Sequence, residues 1–171
     1  MEQVAGSTVA DFNVLPVAEA RAALLACCAV PDWAARLVGG RPYPHRVALL
    51  AAADAALRAL SWEQVAQALA AHPRIGERAS GADLEAAWSR REQSGVERAD
   101  EATRAALARA NREYEQRFGH LFLIFASGRG DTELLAAARA RLRHDEPTER
   151  RIVREELRKI ALLRLERLFD E

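Results

Sequence analysis

Sulfur and lysine are what this sequence has least of: two cysteines, one methionine and, among 25 basic residues, only Lys159 that is not arginine. The cysteines, Cys27 and Cys28, are adjacent in an apolar run. Neighbouring residues rarely meet disulfide geometry, and no second pair exists to build a framework. They read as small buried hydrophobes in a reducing compartment. The near-absence of lysine, beside abundant alanine, reads as GC-rich codon usage, so arginine frequency alone carries little functional meaning. No apolar run approaches the ~18 residues that span a bilayer. The opening residues show no basic stretch followed by an apolar one, so no secretory signal is expected. The ending Leu168-Phe169-Asp170-Glu171 is not a peroxisomal address. A cytoplasmic protein is the expectation. Net charge is absent too: 25 acidic residues balance the 25 basic ones. That balance excludes a generic nucleic-acid or membrane binder, which needs a basic face. There is no His-Glu-x-x-His, no cysteine cluster, no glycine-rich phosphate loop and no Gly-x-Ser-x-Gly elbow, which argues against zinc, nucleotide and serine-hydrolase chemistry.

What is present is helix. The 171 residues suit about one domain. Helical stretches are predicted from Pro16 to Ala29, from Pro31 to Val38 before Gly39-Gly40, and from His45 to Leu60. Ser61 with Gln64 forms a capping-box pattern and starts a helix that must stop near His72-Pro73. Further helices run from Asp83 to Gly95, from about Ala99 to Phe118, and from Pro147 to about Phe169. The apolar run 121–126 fits a strand or a buried turn by periodicity. A lone strand would strand its backbone groups, so a buried, irregular or helical connection is expected. The sequence thus predicts an all-α fold, a single non-repetitive multi-helix domain over 1–171, with 1–11 as a loose N-terminal arm.

Three places break the helical pattern. In the final helix Val153, Leu157, Ile160, Ala161 and Leu168 share a stripe, and Arg164 falls inside it. A guanidinium there is either a buried ion-pair member, an arginine that snorkels to solvent, or an anion receptor at a pocket wall. In the helix from Asp83, the stripe Leu84, Ala87 and Trp88 is flanked by Ser89, Glu92 and Gln93 at i, i+3, i+4 spacing. These are a solvated edge, or a carboxylate beside an aromatic ring presented as a base or acceptor. In His72-Pro73-Arg74-Ile75-Gly76 a histidine stands where a helix must end, close to the negative end of its dipole. It is a satisfied structural histidine or a proton carrier.

Taken together, Ala71-His72-Pro73-Arg74-Ile75-Gly76, Ser89-x-x-Glu92-Gln93-Ser94-Gly95, Asn111-x-x-Tyr114-x-x-x-Phe118-Gly119, Phe122-Leu123-Ile124-Phe125-Ala126 and Glu156-x-x-Lys159-Ile160-x-x-x-Arg164-Leu165 form an ordered series. With Cys27-Cys28, Trp33 and Arg41-Pro42-Tyr43 upstream, the series resembles the 2-oxo-4-hydroxy-4-carboxy-5-ureidoimidazoline (OHCU) decarboxylases of urate breakdown, from about Phe12 to Leu168. The resemblance implies an all-α homodimer that converts OHCU to (S)-allantoin and carbon dioxide without a cofactor or metal. It implies His72 as the catalytic histidine, with Glu92 and Arg164 as its partners. Pro73, the stretch Ser89, Arg90, Arg91, Glu92 and Gln93, and the stretch Phe122, Leu123, Ile124, Phe125 and Ala126 match substrate-contacting segments. His120 and Phe125 depart from the family pattern, which more often has an apolar or aromatic residue and a cysteine there. Two other readings stand beside it: a non-catalytic helical interaction module, and a metal-dependent hydrolase built on His72, Glu92 and His120.

Overall fold

A computed structural model describes residues 7–77, 84–96 and 100–169, and every regular element among them is α-helix. The elements are α1 (Val9–Val14), α2 (Val17–Cys27), α3 (Pro31–Gly39), α4 (Arg46–Arg58), α5 (Trp62–Leu69), α6 (Leu84–Glu92), α7 (Glu101–Phe118), α8 (Asp131–Arg141) and α9 (Glu146–Leu168). No helix among them is long and apolar enough to cross a membrane. The chain divides into two compact units, one formed by Met1–Ala68 with Arg158–Glu171, the other by Leu69–Leu157. The final helix contributes to both.

The local rules explain most boundaries. Ser61 and Gln64 satisfy each other as a capping box: the Ser61 N–H donates to Gln64 Oε1 at 2.9 Å and the Gln64 N–H to Ser61 Oγ at 3.2 Å. Asp100 caps α7 by accepting from the Thr103 N–H at 2.7 Å, and Gly119 closes it at φ 76°. Two helices were not predicted. Residues 9–11, read from the sequence as loose arm, belong to α1, whose Thr8 cap and buried Phe12 tie it down. The second is α8, and the Asp83 start expected for α6 lies outside the described residues.

In the first unit Phe12, Leu24, Trp33, Leu37, Leu49 and Phe169 are fully buried, with Phe12 and Phe169 edge to face at 5.2 Å. Arg41 pins α1 to this core: its Nη1 donates to the carbonyls of Phe12 and Leu15, both at 2.8 Å, and its guanidinium lies over the Phe12 ring. The Tyr43 hydroxyl donates to the Leu37 carbonyl at 2.8 Å. In the second unit α7 packs on α8, and one apolar cluster joins Ile75, Val96, Leu107, Tyr114, Phe122, Ile124, Ala126 and Leu134. Burial at 25 cal/mol per Å2 or so of apolar surface makes such a cluster the main fixing force for the irregular stretches that feed it.

Candidate active site

Four of the motif stretches named above lie in the second unit, and the apolar cluster draws on three of them and on Val96, next to the fourth. Ile75 enters from the His72 turn, Val96 from just beyond α6, and Phe122, Ile124 and Ala126 from the connection between α7 and α8.

The His72 turn begins where α5 runs out. The His72 N–H donates to the Leu69 carbonyl at 3.0 Å, and His72 and Pro73 are both half-buried. Three consecutive residues then anchor the backbone. Arg74 forks onto Glu115 of α7 at 2.6 and 3.1 Å. The Ile75 carbonyl accepts from Asn111 Nδ2 at 2.7 Å, and the Gly76 N–H donates to Gln93 Oε1 at 3.0 Å. Gly76 itself sits at φ 88°, a left-handed conformation that side chains oppose. A cleft of about 300 Å3 opens over this turn, lined by Arg74, Ile75, Gly76, Asn111, Arg112 and Glu115 among others.

On α6 the buried face differs from the predicted stripe. Ala87 is exposed and Leu84 half-buried, whereas Ala86, Trp88, Ser89 and Glu92 are buried. The helix is rotated so that two polar side chains, at 3% and 8% exposure, take the inner positions, which excludes a solvated edge. Arg90 is half-buried and Arg91 exposed. Gln93, just past the helix, serves the His72 turn. Gly95 is the reason α6 can end where it does: a Cβ there would lie 2.2 Å from the Arg129 carbonyl oxygen, so only glycine permits this backbone approach.

Residues 121–126 are neither helix nor strand, the irregular buried connection expected from the sequence. Phe122, Ile124 and Ala126 enter the cluster while Leu123 and Phe125 do not, a period of two that marks extended chain. Two ionisable side chains hold it. Arg141 of α8 donates from Nη1 to the Leu123 carbonyl at 2.6 Å, and Glu156 of α9 accepts from the Phe125 N–H at 2.6 Å. Arg141 is itself ion-paired with the fully buried Glu149, which also accepts the Tyr114 hydroxyl at 2.7 Å and faces His144 Nδ1 at 3.0 Å. The Arg141 guanidinium lies 4.6 Å from the Phe122 ring centroid. Burial, then the bond to Glu149, pushes the Tyr114 phenol up, so it stays a neutral donor.

Arg164 lies in the first unit. It is 1% exposed, which excludes snorkelling, and its Nη1 is 3.5 Å from the Ala26 carbonyl. His120 stacks edge to face with Tyr114 at 5.5 Å and lies 6.1 Å from Phe118. Among the described residues no three His, Cys, Asp or Glu side chains gather as a metal site, so the metal-hydrolase reading gains no support. Sequence reasoning missed Arg141, Glu149 and Glu156. The signal was available for the two glutamates, since Glu149, Val153, Glu156, Leu157, Ile160 and Arg164 continue one helical stripe.

A family model for OHCU decarboxylase matches residues 13–166. The uric acid degradation bifunctional protein TTL of Arabidopsis thaliana is 30% identical over 149 residues, which are 85% of this chain and 46% of that protein. The chain therefore spans about half the length of that relative. The 2-oxo-4-hydroxy-4-carboxy-5-ureidoimidazoline decarboxylase of Haloferax volcanii is 33% identical over 141 residues, 82% of each chain. Among solved structures, OHCU decarboxylase in the presence of (S)-allantoin matches with a TM-score of 0.73 at 26% identity, over 86% of this chain and 96% of that one. An (S)-allantoin synthase matches with the same TM-score at 22% identity, over 96% and 55%, a likeness of fold. Fold and ordered motifs together define an all-α protein of one family type. The chain belongs to the OHCU decarboxylase family.

Proposed function

We propose that this chain, acting as one domain, decarboxylates OHCU to (S)-allantoin and carbon dioxide in urate degradation. One observation carries the reading: the His72 turn, Val96 just beyond α6 and residues 122–126 feed one cluster, while Ser89 and Glu92 are buried on α6.

OHCU carries a carboxylate and a hydroxyl on one ring carbon, beside a conjugated C=N and carbonyl system. When the bond to the carboxylate breaks, carbon dioxide leaves and the electron pair enters the ring as an enol-like intermediate. The C=N nitrogen takes up a proton, and a further proton adds to the neighbouring ring carbon that bears the ureido group as the hydroxyl loses its own and becomes the carbonyl. The substrate is its own electron sink, so the chemistry calls for no cofactor. The protein's contribution is orientation, charge complementarity and a proton on one face.

We assign His72 to move that proton, either from the hydroxyl or to the carbon. Glu92 accepts hydrogen bonds from ring or ureido N–H groups and restrains the hydroxyl. Arg164 keeps the role the resemblance gives it, holding an anionic or carbonyl edge through its planar fork. Pro73 and the stretch Ser89 to Gln93 contact the substrate, and residues 122–126 exclude water from it. Support for a backbone contact comes from Ile124. Its N–H and C=O lie on the edge opposite the one Arg141 and Glu156 occupy, and no partner for them is seen among the described residues. A buried N–H and C=O side by side match an amide edge of a ureide. We further assign the chain to the cytoplasm and to a homodimer, which light scattering on the purified protein checks.

The test is circular dichroism at allantoin wavelengths after supplying freshly generated OHCU with and without the protein. Rapid growth of one enantiomer's signal is expected. A rate equal to the spontaneous reaction, with racemic product, overturns the reading.

A further inference from the structure

Residues 122–126 alternate into the cluster as extended chain does, and no strand lies beside them among the described residues. An extended chain points the N–H and C=O groups of alternate residues to one edge, and a neighbouring strand would satisfy them in pairs. Here the Leu123 carbonyl and the Phe125 N–H, the acceptor and donor of one edge, meet a guanidinium and a carboxylate from two helices, each at 2.6 Å. We propose that Glu156 and Arg141 are positioning residues that stand in for that missing strand, fixing the edge so that the Ile124 N–H and C=O are aimed at the substrate. This rests on the reading of 122–126 as a substrate-contacting stretch.

The arrangement has a physical logic. Charge-assisted bonds are about twice as strong as neutral ones, and both charged groups are themselves held, Arg141 by Glu149 and Glu156 by its place on a long helix. A helix-borne carboxylate fixes the height of Phe125 along α9, and a helix-borne guanidinium fixes Leu123 against α8. Ile124, between them, has its rotation about the chain axis determined. Neither residue touches the reacting carbon in this scheme, so the effect of losing one falls on substrate binding rather than on the proton transfer.

The experiment uses the full chain as wild type, Glu156→Ala and Glu156→Gln. Two readouts are taken: KM and kcat for OHCU, and backbone amide exchange at Phe125 without substrate. For Glu156→Ala we expect KM to rise about tenfold with kcat changed by less than about threefold, and Phe125 exchange to speed up by about tenfold or more. Glu156→Gln keeps an acceptor oxygen, so it should retain Phe125 protection and hold KM within about threefold of wild type. If Glu156→Ala fails to fold, Glu156→Asp, a carboxylate one methylene short, carries the same two readouts. The proposal is overturned if Phe125 exchange is unchanged in the alanine variant, if KM is unchanged in a folded variant whose kcat falls, or if glutamine is as damaging as alanine. Should the wild type not turn over OHCU at all, the function proposed above fails, and Phe125 exchange still decides whether Glu156 holds this edge.

Discussion

Two irregular stretches of the second unit are both tied down by side chains, but by different kinds. At the His72 turn the backbone tethers are neutral amides, Asn111 on the Ile75 carbonyl and Gln93 on the Gly76 N–H. At 122–126 they are ionisable groups, Arg141 and Glu156, the first backed by a buried glutamate. Exposure accounts for one tie in each stretch, since the Asn111 bond to Ile75 is buried although neutral. Gly76 is exposed, and water can replace a lost amide there. Leu123 is buried, and a lost partner there leaves a carbonyl with nothing. The turn that carries His72 is thus tied by neutral amides beside one exposed ion pair, and the stretch 122–126 by two ionisable groups.

That contrast can be broken at four points. The largest effect belongs to His72→Asn, expected to lower the decarboxylation rate by about 10²–10⁴-fold in a variant that still folds. Turnover near wild type would remove His72 from the chemistry. Next is Arg141→Met, which leaves Glu149 buried with only the Tyr114 hydroxyl and His144 beside it and should lower stability by about 3–5 kcal/mol in equilibrium denaturation. Adding Glu149→Leu should recover part of the loss, since the remaining charge is then gone. A loss below about 1 kcal/mol would mean that the network carries no structural weight. Asn111→Ala is expected to lose about 1–3 kcal/mol, the desolvation of an unmet Ile75 carbonyl. The smallest loss is for Gln93→Ala, about 0.5–1.5 kcal/mol, with water taking over the Gly76 N–H. If Gln93 also binds substrate, as the resemblance implies, its alanine variant should raise KM more than Asn111→Ala does; the reverse order assigns it to the turn alone.

The parts of this molecule that the sequence made legible are those where one residue type leaves one option. Ser61 with Gln64, Gly119 after Phe118 and Pro147 in the first turn of α9 each announce a helix end. Arg164 inside an apolar stripe left three options open, and its burial removed the snorkelling one. The candidate site residues stand out in motifs unusual in context: a histidine before proline, a glutamate one turn from tryptophan. What was illegible was ambiguous chemically. In α8, leucines and alanines are spread round the helix and its buried Arg141 looks like a surface residue. Glu149 and Glu156 look like solvent-facing charges until the stripe through Val153 and Leu157 is extended in both directions. The orientation of α6 was missed because alanine fits either face, whereas burial of Ser89 and Glu92 had to come from packing.

The two tyrosines make the fold optically accountable. Tyr43 lies in the first unit and Tyr114 in the second, and they are the only ones in the chain. Burial pushes both phenols up from their ordinary value. Above pH 10 or so the unfolded chain gives up protons that the folded chain keeps, so stability falls as pH rises through that range. Tyrosinate absorbance from Tyr114 then appears when the second unit opens, in a cooperative step, instead of as a simple titration. With Tyr43→Phe the remaining signal comes from Tyr114 alone. An alkaline titration of that variant thus becomes a record of when the second unit gives way.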